Sequence, residues 1–165
     1  MGHPMIYAII AAVYIVGIFV LPVTLWRDKL GNSLGINVPG LVILRRGLDV
    51  PGAVWAQEFY EARRGWQLLP VHLVLMLIGR IYKPLAFYER NFEINGHERT
   101  VHAEHLMTGF TADAIRMRQA DIMSRFYGAF KGHGPKAIEL AMAKKSAKAE
   151  KFVKRHYKRI QKMNA

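Results

Sequence analysis

From Met5 to Trp26 the chain carries no charged side chain over 22 residues. At about 1.5 Å per residue, a helix of that length reaches roughly 30 Å, the thickness of a bilayer's hydrocarbon core. Tyr7, Tyr14 and Trp26 place aromatic rings near both ends, where amphipathic rings settle at the headgroups. The pattern predicts one N-terminal transmembrane helix over 5–26. A cleaved signal peptide fits less well, since no Lys or Arg precedes the run and no small-x-small cleavage site follows it. Arg27 and Lys29 directly follow, so the positive-inside rule puts the N-terminus outside and the bulk of the chain on the cytoplasmic side, or facing the genome in a virus particle.

Beyond the anchor the pattern shortens. Residues 27–37 are polar and carry Gly, Asn and Ser, a linker composition. Val38 to Arg46 is β-rich between Pro39-Gly40 and Gly47, which predicts one strand or a hairpin. Pro51-Gly52 turns the chain into a helix from about Ala53 to Trp66, half-buried by the alternation of Val54, Phe59 and Ala62 with charged residues. Leu68 to Tyr82 is nearly all apolar and too short for a confident span, so it reads as a buried core helix or one at the membrane interface, closed by Lys83-Pro84. Glu93–Gly109 and Thr111–Phe130 read as helices, the second capped by Thr111 or Asp113 and carrying Ile115, Ile122, Phe126 and Phe130 near one face. After the Gly132–Pro135 break, one helix is expected to run to about Met163. The fold class is mostly α, divided into an anchor (1–26), a linker (27–37), an α-rich domain (38–134) and a basic tail (135–165).

Composition adds a strong charge signal. The 165 residues carry a net charge of +12. Residues 136–165 hold ten Lys or Arg against Glu139 and Glu150, two-thirds of that excess. Lys144, Lys145, Lys148, Lys151, Lys154, Arg155, Lys158, Arg159 and Lys162 surround almost the whole helix, so only a weak amphipathic signal is expected there. Such a segment binds phosphates through counterion release without reading sequence, or lies on anionic lipid. Nucleic acid and anionic lipid are thus both candidate partners of the tail, beside the lipid bilayer and other membrane or virion proteins. There are no cysteines, which excludes disulfides, Cys-ligated zinc and thiol catalysis. No P-loop, GxGxxG, GxSxG or zinc-finger spacing occurs.

One stretch carries candidate chemistry. Ala56-Gln57-Glu58-Phe59-Tyr60-Glu61 follows the apolar run Leu41–Leu44 and precedes Arg63, Arg64 and Trp66, and Arg90-Asn91-Phe92-Glu93 comes about thirty residues later. Over roughly residues 38–100 this order resembles small zincin-like metallopeptidase domains of bacteria and their phages, in which a strand precedes an HExxH helix and a downstream glutamate completes the zinc site. The resemblance implies a helical zincin-like domain with Gln57 at the first ligand position, Glu58 at the general base, Glu61 at the second ligand and Glu93 at the third. Both histidines are missing. A carboxamide is a poor zinc ligand, and carboxylates without imidazole favour Mg²⁺, Mn²⁺ or Ca²⁺ if any metal binds.

The histidines offer a competing cluster. Glu98, His102 and His105 fall on one helical face with His97 adjacent, and side chains at that spacing can share a metal ion or form a solvated polar face. Candidate metal residues are therefore Glu61, Glu93, His97 and His102. No cofactor is expected beyond a divalent metal. The sequence supports a membrane-anchored structural or interaction protein on a degenerate, inactive metallopeptidase scaffold, a pseudoenzyme of the kind a phage virion would carry. The alternatives are a membrane-bound metal-dependent hydrolase with Glu58 as base, and a small subunit of a larger membrane complex.

Overall fold

The apolar N-terminal stretch divides into two elements. In the computed structural model, which describes residues 4–20, 22–31, 33–81 and 86–165, helix α1 covers Pro4–Val20 and strand β1 covers Val23–Arg27. The expected single helix over 5–26 is corrected. Pro22 has no N–H for a helical bond, and the β-branched and aromatic run Val23-Thr24-Leu25-Trp26 favours a strand. Among the described residues no helix is long and apolar enough to cross a membrane.

β2 (Gly35–Val38) and β3 (Leu41–Arg45) form an antiparallel hairpin, and β1 joins it parallel to β3, giving the order β1-β3-β2. The residues expected as a linker thus supply most of β2. The hairpin turns at Pro39-Gly40, where Gly40 takes φ 84°, a left-handed conformation that disfavours a side chain. Alternation along the strands turns Trp26, Val42 and Leu44 inward. Val23, Leu25, Ile36 and Val38 stay exposed on the other face.

The inner face of the sheet packs on α2 (Pro51–Gln67), whose Pro51 sits in the first turn, where a missing N–H costs nothing. Trp55 Nε1 donates to Thr24 Oγ1 at 3.0 Å, and Gly40 N donates to the Ala62 carbonyl at 3.0 Å, so sheet and helix are tied at both ends. α3 (Leu69–Ile81) follows; its expected stop at Lys83-Pro84 lies outside the described residues. α4 (Phe87–Thr108) begins one and a half turns before the expected Glu93 and ends on Gly109 at φ 74°. α5 (Ala112–Phe126) is capped by Thr111, whose Oγ1 accepts from Ala114 N. A 3-10 turn at Gly128–Phe130 then buries Phe130 and leaves Phe126 exposed, so the two do not share a face as expected.

The basic C-terminal segment is two helices, α6 (Pro135–Ala143) and α7 (Ser146–Asn164), rather than one. It is also not an appended tail. Ala149, Val153 and Ile160 of α7 are fully buried against Trp55, Phe59 and Ala103 in the core between the sheet, α2 and α4. Asn164 Oδ1 accepts from the backbone N of Gly52 at 2.9 Å, satisfying one of the free donors that open α2. α7 is therefore strongly amphipathic: the thin apolar stripe of Val153 and Ile160 is buried, and the lysines line the opposite side. A second core gathers Ile94 and Val101 of α4 with Ile115, Met123, Phe130, Ile138 and Met142.

α1 and α3 stand apart from both cores. Ile9, Ile10, Val13 and Val16 of α1 and Val71, Leu73, Val74 and Leu77 of α3 are all more than half exposed. Of the two alternatives for residues 68–82, the buried core helix is thereby corrected. α1 is fastened to the end of α2 by Tyr14, whose hydroxyl donates to the Gln67 carbonyl at 2.6 Å and whose ring stacks on Trp66.

Candidate functional site

The largest contact between helices, α2 against α4, encloses a group of carboxylates. Gln57, Glu58 and Glu61 lie on the buried side of α2, and Glu93 and His97 lie one turn apart on α4. Asn37 reaches in from β2, its Nδ2 donating to Glu58 Oε2 at 2.6 Å and to Glu61 Oε2 at 2.7 Å. One amide thus bridges two acids.

Two glycines make the room. A Cβ on Gly35 would come within 2.8 Å of Glu58 Cγ, and one on Gly96 would coincide with Glu61 Oε1. Gly96 sits in mid-helix, where glycine costs about 1 kcal/mol relative to alanine. Close approach of the Glu61 carboxyl is the physical reason for it. Even so, Glu61 Oε1 is buried and finds no hydrogen-bond partner of good geometry among the described residues.

His97 closes the cluster. Its Nδ1 is 2.9 Å from Gln119 Oε1, which can only accept, so Nδ1 carries the proton and Nε2 presents a lone pair. That Nε2 faces Gln57 Nε2 at 3.5 Å and lies 3.9 Å from Glu93 Oε2. Thr100 Oγ1 donates to Gln57 Oε1 at 3.1 Å, fixing the amide. A cleft of about 660 Å³ opens onto Glu58, Gln57, His97, Gln119 and Tyr127.

Burial dominates the electrostatics. It pushes the Glu58 carboxyl up to about 7 against the opposing bond from Asn37. Glu93 rises to about 7 through burial and then through the charges of Glu58 and Glu89. Glu61 rises well above the ordinary range through burial, Glu93 and Glu58. Burial lowers His97 to about 4, so the imidazole is neutral at pH 7. Tyr127, raised by burial and by the same three glutamates, stays a phenol. A group of this kind can share protons, and a carboxyl poised near 7 is suited to general-base work.

The zinc site implied by the resemblance does not fit these residues. Gln57 offers an amide already engaged by Thr100, Glu61 replaces an imidazole, and His97 is the one nitrogen donor in the group. Among the described residues, no three His, Asp or Glu side chains converge closely enough to hold a metal ion as they stand. His102 does not join the cluster. Its Nε2 lies 2.8 Å from Ser146 Oγ and 3.4 Å from Glu98 Oε1, while Glu98 is fully buried and accepts from Arg116 Nε and Nη2. His105 bonds the Phe110 carbonyl at 2.6 Å and is exposed. The helical face shared by Glu98, His102 and His105 therefore dissolves into an ion pair, a link to α7 and a helix end.

Asn37, Gly96, Thr100, Gln119 and Tyr127 escaped the reading of the sequence. Of these only Gly96 left a signal, a glycine in a helix without a cap or turn to explain it. Comparison of the chain with protein-family models, with curated proteins and with solved structures finds no match.

Proposed function

We propose that this is a membrane-associated structural or interaction protein on a metallopeptidase-like scaffold that has lost its zinc ligands. The exposed apolar faces of α1 and α3 carry the membrane half of this reading. A soluble monomer rarely leaves contiguous apolar patches beyond a few hundred Å², and α1 alone exposes eight large apolar side chains between Met5 and Val16. α1, apolar all round, enters the hydrocarbon, and the exposed apolar face of α3 meets the interface. Arg27 and Lys29 then hold the domain on the cytoplasmic or genome-facing side. The outward lysines of α7 face anionic surfaces. The scaffold half is supported by Gln57, Glu58 and Glu61 on one helix, a strand beside it, and Glu93 on the helix packed against it.

Flotation with phosphatidylcholine vesicles tests the membrane half. The full chain is expected to float, and each of Ile9→Glu, Val13→Glu and Val16→Glu to weaken partitioning by about tenfold or more, since each replaces an apolar side chain worth roughly 1.5–3 kcal/mol when buried by a carboxylate that resists burial. A full chain that stays monodisperse without detergent and does not float would sink this reading.

One observation favours the hydrolase alternative: Glu58 is raised to about 7 and lines the open cleft. With Glu58 kept as the base and oxygen donors from Glu61 and Glu93, the cation would be a hard one, Mg²⁺ or Mn²⁺. Stoichiometric Mn²⁺ bound by the detergent-purified chain and lost in Glu61→Gln would favour an enzyme. Absence of binding at millimolar Mn²⁺ leaves the pseudoenzyme.

A further inference from the structure

A second cleft, of about 380 Å³, is built from α2, α4 and α7. Arg63 and Arg64 come from α2, Arg99 from α4, and Lys148 and Arg155 from α7; no carboxylate lines it. Among the described residues none of these five cations forms an ion pair. Like charges gathered in one concavity repel, so the fold bears a cost there that an anion would relieve.

Arg99 is the built part. It is 6% exposed, its guanidinium lies 3.5 Å over the Tyr60 ring, one Nη1 donor goes to the Asn95 carbonyl, and its Nε is buried without a partner among the described residues. A buried, unsatisfied donor is costly unless a ligand completes it. The fork geometry of arginine matches phosphate oxygens.

The aromatic residues narrow the ligand. Arg99 covers a face of Tyr60, and Phe152 has Arg99 at 5.0 Å and His156 stacked at 4.3 Å. These rings are occupied by their neighbours and offer no free platform for a base, which disfavours single-stranded nucleic acid. Gln67, on the rim, joins the cleft to the apolar side of the molecule, because its carbonyl holds Tyr14 of α1.

We propose that this cleft binds the phosphate of an anionic phospholipid headgroup, whose acyl chains run along the exposed face of α1. The assignment rests on the membrane reading above and adds a specific headgroup seat to it. Arg64 and Arg155 are exposed, so Arg64→Gln/Arg155→Gln keeps the core intact. Arg125→Gln/Lys131→Gln removes the same charge from exposed positions outside both the cleft and α7 and is the control.

Full-length protein is compared on vesicles of phosphatidylcholine alone and of phosphatidylcholine mixed with phosphatidylglycerol. The wild type is expected to prefer the mixed vesicles. The cleft pair should reduce that preference by about tenfold or more, and the control pair by no more than about twofold. Equal losses from the two pairs would mean diffuse charge and overturn the proposal. A parallel arm measures thermal stabilisation by sn-glycerol 3-phosphate. Stabilisation of the wild type but not of the cleft pair, with no preference for phosphatidylglycerol, identifies a soluble phosphoester and overturns the lipid assignment. Failure of the membrane reading is seen separately, as absence of binding to phosphatidylcholine alone.

Discussion

A chain ending at Gly134 is expected to lose cooperative folding altogether. The missing segment supplies Ile138 and Met142 to one core and Val153 and Ile160 to the other, all at most 2% exposed. Burial of side chains this size stabilises by about 1.5–3 kcal/mol each, so the four together contribute roughly 6–12 kcal/mol as an upper bound. That matches the entire stability of a typical domain, about 5–15 kcal/mol. Truncation also uncovers Trp55 and Phe59 and frees the Gly52 N–H held by Asn164. Circular dichroism melting and limited proteolysis read the result. A truncated chain that melts cooperatively near the wild-type temperature would show residues 135–165 to be an appended tail outside the core. The graded version is Ile160→Ala, expected to cost about 2–5 kcal/mol with the fold retained.

Replacing Glu93 by glutamine is expected to stabilise the metal-free protein at pH 8 relative to the wild type, by about 3 kcal/mol more than at pH 4. The folded-state value of Glu93 is raised from 4.5 to about 7. The native state therefore keeps a proton that the unfolded chain gives up between those values. Its contribution to stability is fully present below 4.5 and is lost as pH rises through about 7. A shift from 4.5 to about 7, at 1.36 kcal/mol per unit, sets the size of the effect. For a chain of this length it corresponds to about 6–12 °C in melting temperature. Glu58 carries the same sign from the same cause, so Glu58→Gln should behave alike. Divalent cation binding would reverse the trend, because the metal favours the ionised carboxylates. A wild-type-minus-variant difference that stays flat from pH 4 to pH 8 would show that the carboxylates are solvated and that the cluster is not closed.

Local chemistry was written plainly in the chain. Pro51 opening α2 and Thr111 capping α5 each act through one or two residues, so they can be read without knowing the partners, whereas Pro39-Gly40, an edge of the β-rich run in the sequence, is the turn inside the hairpin. The helical spacing that puts Gln57, Glu58 and Glu61 together was legible for the same reason. So was the apolar stripe of Val153 and Ile160, although the lysines around it hid its strength.

Partners were decided elsewhere. Val23–Trp26 is uncharged like the helix before it, and pairing with β3 completes the strand that Pro22 and the β-branched run favour. His102 and His97 occupy equivalent spacings from a glutamate on α4, Glu98 and Glu93. The rotation of that helix against α2, α5 and α7 gives one of them a place among buried carboxylates and the other a serine and an ion pair. Asn37, Gln119 and Tyr127 come to the cleft from three separate elements. The periodicity of a sequence fixes which side chains share a face. What that face meets, and so whether its glutamates are solvated ions or buried acids raised to about 7, depends on desolvation by chain segments far away in the sequence, which only the tertiary structure supplies.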